Sequence, residues 1–108
     1  MNKHVADTLT PADRTWLIGF CRRWKISELA LFGSALRADF RPDSDLDILV
    51  SFAMDAEWGL LDHAEMQQEL SLHFRRSVDL VSRKAIERSA NPIRRQQILT
   101  TAEVVYAA

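Results

Sequence analysis

The stretch Asp45-Leu46-Asp47-Ile48-Leu49-Val50-Ser51-Phe52 constrains the fold of this chain more than any other. Its run of apolar, largely branched residues predicts a strand over 46–52. Side chains alternate along a strand, so Leu46, Ile48, Val50 and Phe52 face one way, while Asp45 and Asp47 face the other. Two carboxylates at positions i and i+2 repel each other, and Asp43 just before them worsens the repulsion. A fold has little reason to open a buried strand this way unless a cation neutralises the pair. A third strand predicted over 77–82 repeats the pattern, with Val78 and Leu80 on one face and Asp79 alone on the other. If that strand pairs beside the second, Asp79 joins Asp45 and Asp47 in one cluster. All-oxygen ligands of this kind suit Mg²⁺ or Mn²⁺.

The other elements follow from punctuation and period. Thr10-Pro11 starts a helix, with Thr10 as N-cap, Pro11 at the first position and Asp13 in the first turn. Trp16, Leu17, Phe20, Cys21 and Trp24 then recur at helical spacing. Leu29 to Phe32 is a short buried strand ended by Gly33. Ser34 to Ala38 reads as a short helix, and Arg41-Pro42-Asp43-Ser44 as a turn. Trp58 to Phe74 reads as a helix with Leu60, Ala64, Leu70 and Phe74 on one side. Asn91-Pro92 caps a last helix running to about Tyr106, with Ile93, Ile98, Ala102 and Val105 facing inward. Alternating helices and strands imply several helices over a small sheet, with parallel pairs allowed and a mixed sheet open. At 108 residues the chain has the size of a single domain, 1–108.

Gly33-Ser34 closes the first strand where a helix is expected to start. Backbone N–H groups there, beside a glycine without Cβ, make a seat for a phosphate, and the Ser34 hydroxyl adds a donor. A phosphate cradle beside a divalent-metal site is the equipment of phosphoryl or nucleotidyl transfer. Leu31-Phe32-Gly33-Ser34, ten intervening residues and Asp45-Leu46-Asp47-Ile48 together resemble the Gly-Ser…Asp-x-Asp signature of the polymerase-beta-like nucleotidyltransferase superfamily. More closely, the chain resembles its minimal nucleotidyltransferase (MNT) domains, including the MntA-like antitoxins of HEPN/MNT toxin–antitoxin pairs. Arg37, Asp43-Ser44-Asp45, Val78-Asp79-Leu80-Val81 and the closing Ile98-Leu99…Ala102-Glu103-Val104-Val105-Tyr106 extend the likeness over Leu9 to Ala107. Ala38 departs from it, standing where a glycine commonly follows the arginine.

The resemblance implies an α+β fold, a small mixed sheet flanked by helices, and two-metal transfer of a nucleoside monophosphate. It places Gly33, Ser34, Arg37 and Ser44 at the nucleotide. Asp45 and Asp47 would ligate both metal ions (Mg²⁺ or Mn²⁺). Asp79 would ligate one and help deprotonate the acceptor hydroxyl. For stand-alone members it further implies an antitoxin that attaches AMP from ATP to a hydroxyl, a tyrosine's above all, of a HEPN-type ribonuclease toxin in a hetero-oligomer. Two rival readings stand beside it. One is transfer to a small molecule or an RNA end, with the acceptor site completed by another chain. The other is an antitoxin that only binds and occludes its toxin; three clustered acids without chemistry argue against that.

Charge and cysteine usage narrow the setting. The net charge is −1, which speaks against wholesale coating of nucleic acid. It hides an acidic middle, from Asp39 to Glu69, and a basic section containing Arg75, Arg76, Arg83, Lys84, Arg88, Arg94 and Arg95. That section suits a solvated helix face, an acidic partner surface or a triphosphate. One cysteine, Cys21, placed on the apolar face of the first helix, fits a reducing cytoplasm. No membrane span or apolar leader is legible. His4, His63 and His73 match no metal spacing, and Trp16, Trp24 and Trp58 read as core or partner contacts.

Overall fold

The computed structural model describes residues 9–33 and 45–108. The expected helix at Ser34 to Ala38 and the turn at Arg41 to Ser44 lie outside them, as do Ser34, Arg37, Asp43 and Ser44. Helix α1 (Pro11–Arg23) leads into strands β1 (Ile26–Phe32) and β2 (Leu46–Phe52). Helix α2 (Leu60–Phe74), strand β3 (Val78–Ser82), short helices α3 (Arg83–Glu87) and α4 (Pro92–Thr101), and strand β4 (Glu103–Ala107) follow. The sheet order is β3-β2-β1-β4. β1 is antiparallel to both β2 and β4, whereas β2 and β3 are parallel, so the sheet is mixed.

Helix α1 begins as its sequence demands. The Thr10 hydroxyl accepts from the Asp13 N–H, and the Asp13 carboxylate accepts from the Thr10 N–H, both at 3.0 Å. That backbone bond, ahead of the His73 ring at 2.8 Å, holds the Asp13 carboxyl below its ordinary pKa against an opposing effect of burial. Leu17, Phe20 and Cys21 turn inward. Burial pushes the Cys21 thiol up to about 12, so it packs as an uncharged core group.

One sheet face is largely apolar. Leu29, Leu31, Leu46, Ile48, Val50, Val78 and Leu80 pack there against α1 and against Met66 and Leu70 of α2. Helix α2 also closes the sheet's β3 edge. Its Ser71 hydroxyl accepts from the Val78 N–H at 3.1 Å, and its Gln67 carbonyl accepts from the Leu80 N–H at 2.9 Å. His63 Nε2 donates to the Leu80 carbonyl at 2.7 Å. Positions 63, 67 and 71 stand one helical turn apart, so a single stripe of α2 satisfies the outward backbone groups of an edge strand.

Three expectations need correction. The last helix ends at Thr101 and not near Tyr106; Ala102 turns extended, at φ −59° and ψ 135°, and Glu103–Ala107 pairs with β1 as β4. Val104-Val105-Tyr106 is β-branched and aromatic, and pairing along β1 outweighs continuing the helix. Ile93 is accordingly 78% exposed, while Ile98 is buried. Second, α2 begins at Leu60, with Trp58 ahead of it donating its indole N–H to the Trp24 carbonyl at 2.7 Å. Third, Leu60 and Ala64 face outward, because the inner face belongs to Met66 and Leu70 and the next stripe is turned to β3.

Gln67→Met keeps the side chain's length while removing the acceptor for the Leu80 N–H. It is expected to lower unfolding free energy by about 1–3 kcal/mol in urea titration; an unchanged value would show that α2 does not hold the β3 edge through this bond.

Candidate active site

The sheet's second face is divided. In one row across it, Ala30, Leu49 and Val81 stand side by side, and Ile86 of α3 and Ile98 of α4 cover them. In the next row, toward the start of β2, the neighbours are Phe32, Asp47 and Asp79. The two carboxylates are thus in-register partners on parallel strands. They point the same way from backbones about 4.8 Å apart. Asp79 is exposed and Asp47 partly so; Asp45 is exposed immediately before β2. The register is set by the opposite face: a slip of one residue would turn Leu46, Ile48 and Val50 out and drive Asp47 into the core.

Gly33 completes the geometry at the end of β1. Its φ is +66°, the left-handed region that disfavours any side chain. A Cβ built there would stand 2.5 Å from the Asp47 carboxylate oxygen Oδ2. Gly33 is therefore needed twice, for its backbone turn and for the room it leaves beside Asp47.

A cavity of about 400 Å³ opens on this spot, lined by Gly33 and Asp47 on the sheet side and by Arg94, Gln97 and Thr101 of α4 on the other. These three helix residues flank the buried Ile98, which anchors that face of α4 to the sheet. In the sequence Arg94 is only one of seven bases, and Gln97 and Thr101 carry no signal beyond their spacing. The remaining bases do not gather here. Arg83 pairs with Glu28 at 3.0 Å and Glu87 at 3.8 Å, and Arg95 donates to the Ser89 carbonyl.

Of the sequence-derived site residues, the structure brings Gly33, Asp47 and Asp79 together and places Asp45 at the mouth of β2. Ser34, Arg37 and Ser44 lie outside the described residues. Among the described residues, no three His, Cys, Asp or Glu side chains form a group that could hold a metal ion as they stand. His63 and His73 are committed to the Leu80 carbonyl and Asp13, and His73 also stacks on Trp16 at 4.0 Å. Trp24 is buried, and Trp16 and Trp58 pack on the main core.

Comparison with known proteins gives the family. A family model described as "Nucleotidyltransferase domain" matches residues 16–103. The solved structure of a provisionally named minimal nucleotidyltransferase is similar at a TM-score of 0.66, with 34% identity over 94% of each chain. A chain from a crystallised toxin–antitoxin with AMP-PNP is similar at a TM-score of 0.62 and 25% identity, over 89% of this chain and 74% of that one. A Methanocaldococcus jannaschii protein, provisionally named protein adenylyltransferase MJ1379, is 31% identical over 64 residues, 59% of this chain and 64% of that protein. The match to that curated relative spans less than two-thirds of its length.

Gly33→Ala is expected to destabilise the domain by about 1–2 kcal/mol through the left-handed backbone alone, and to displace the Asp47 carboxylate besides. Urea unfolding and a crystal structure of the variant check both; a variant of unchanged stability with Asp47 unmoved would contradict the packing described.

Proposed function

The chain belongs to the nucleotidyltransferase domain family, and from that premise we propose that it transfers AMP from ATP to a hydroxyl of a protein partner, silencing a HEPN-type ribonuclease toxin as its antitoxin. The observation that carries this reading is the in-register pair Asp47 and Asp79 with Gly33 cut back to make room beside it. Carboxylate oxygens alone on one face suit Mg²⁺ or Mn²⁺ and no softer metal. Asp45 and Asp47 would ligate two such ions, and Asp79 one of them. When bound, these ions would neutralise phosphate charge and lower the pKa of an acceptor oxygen.

The chain's own residues do the rest. Gly33, with Ser34, Arg37 and Ser44, seats the triphosphate, using backbone N–H groups at a point no side chain crowds. Asp79 is the more exposed of the pair and stands at the outer side of β2, where an incoming acceptor can give up its proton. The acceptor oxygen has to come within about 3–3.5 Å of the α-phosphate, in line with the leaving pyrophosphate. A tyrosine on another macromolecule meets that requirement without an enclosing acceptor pocket, which supports a hetero-oligomer with the toxin. The toxin–antitoxin with AMP-PNP and the adenylyltransferase name of MJ1379 support the same donor and acceptor class. We place this minimal domain in the cytoplasm, where ATP and its partner are at hand. Among the described residues no helix is long and apolar enough to cross a membrane.

Transfer of label from α-labelled ATP onto a co-purified partner tests the proposal. Asp47→Asn keeps the shape while removing the charge, and is expected to cut labelling by about 10²-fold or more with folding intact. Equal labelling by the variant would sink the assignment. Efficient labelling of aminoglycosides or small alcohols by the lone domain would favour a small-molecule acceptor instead.

A further inference from the structure

Helix α4 carries its charge at the wrong end. A helix N-terminus is the positive pole of its dipole and favours acids in the first turn. The first turn of α4 instead holds Arg94 and Arg95 and no acidic residue. Arg95 has a local reason, since its guanidinium donates to the Ser89 carbonyl at 3.1 Å and ties the preceding turn to the helix. Arg94 has none of that kind. Its backbone N–H serves the Asn91 cap, but among the described residues its guanidinium makes no ion pair. The side chain is exposed, yet it lines the same cavity as Gly33 and Asp47.

A cation on one wall and a carboxylate on the other, without an ion pair across the gap, is what a bound group of mixed charge would bridge. The cation-seeking acids lie on the sheet side, so an anion held by those cations would present its remaining negative charge to α4. Ile98, buried one turn beyond Arg94, pins that wall at a fixed distance from the strand row.

Resting on the nucleotidyl-transfer reading above, we propose that Arg94 binds the phosphate chain of the nucleoside triphosphate, with α4 as the wall facing the metal-binding acids. Guanidinium geometry suits this role, since two parallel N–H donors meet two phosphate oxygens. The contact is to phosphate and not to base or sugar, so its energy belongs to the triphosphate alone.

The test is direct binding with Mg²⁺ present, for the wild-type chain, Arg94→Gln, Arg94→Lys and the off-site control Arg88→Gln. Mg²⁺-ATP is the ligand, with inorganic tripolyphosphate and adenosine as competitors. Arg94→Gln is expected to weaken Mg²⁺-ATP about tenfold or more, as loss of a charged hydrogen bond does. It should weaken tripolyphosphate in parallel, leave adenosine unchanged, and raise the KM for ATP with little change in melting temperature. Arg94→Lys should recover part of the loss, and Arg88→Gln should match wild type. Wild-type affinity for Mg²⁺-ATP in Arg94→Gln, while Asp47→Asn has lost it, would overturn the assignment of Arg94 and leave the reaction standing. Equal weakening of adenosine and ATP would overturn the phosphate contact. A wild-type chain that binds no nucleotide would overturn the reaction and this assignment together.

Discussion

Everything distinctive about this molecule depends on two carboxylates being held side by side. Asp47 and Asp79 occupy one register position on parallel neighbouring strands, where like charges destabilise a sheet. The sheet tolerates this because its other face leaves no choice. Leu46, Ile48, Val50, Val78 and Leu80 are all buried against α1 and α2, and their combined burial far outweighs one repulsive pair. The alternation of a strand then delivers both acids to the same opposite row. Apolar packing on one face offsets the charge repulsion on the other.

The surrounding parts keep that row in place and accessible. The β3 edge would be free to shift along β2, but Ser71, Gln67 and His63 bond its outward backbone groups. Gly33 gives β1 an ending that does not push Asp47 aside. Helices α3 and α4 cover the neighbouring row through Ile86 and Ile98 and stop short of the acids. A cavity therefore stays open between α4 and the start of β2. The fold and the site are two consequences of one pattern, apolar rows covered by helices and an acid pair in the row beside them.

How much of this the sequence discloses depends on the range of the interactions involved. Strand β2, the acid pair, the Thr10 cap and the position of Gly33 are local patterns of alternation and punctuation, and they are legible without a structure. The pairing of β3 beside β2 was conditional on the sequence, and the register Asp47 to Asp79 settles it. Strand β4 reads as helix from sequence because residues 98–106 satisfy a helical period as well as a β one; only pairing with Leu29 and Ala30 of β1 decides between them. Leu60 reads as inward by period alone, but the inner face of α2 belongs to Met66 and Leu70, a choice made by packing on the sheet. Arg94 is hidden among seven bases, since no local rule tells which cation the fold will bring to the cavity that Asp47 lines.

The central claim is that the acid row is built for cations, and a metal-free comparison tests it most directly. Thermal unfolding of the wild-type chain and Asp79→Asn would be followed in chelator and then in Mn²⁺. In chelator, relief of the cross-strand repulsion should make the variant more stable, by about 0.2–1 kcal/mol or up to a few degrees. In Mn²⁺ the order should reverse, because the wild type gains stability from binding and the variant gains little. A wild type that is as stable as the variant in chelator, and indifferent to Mn²⁺, would contradict the account.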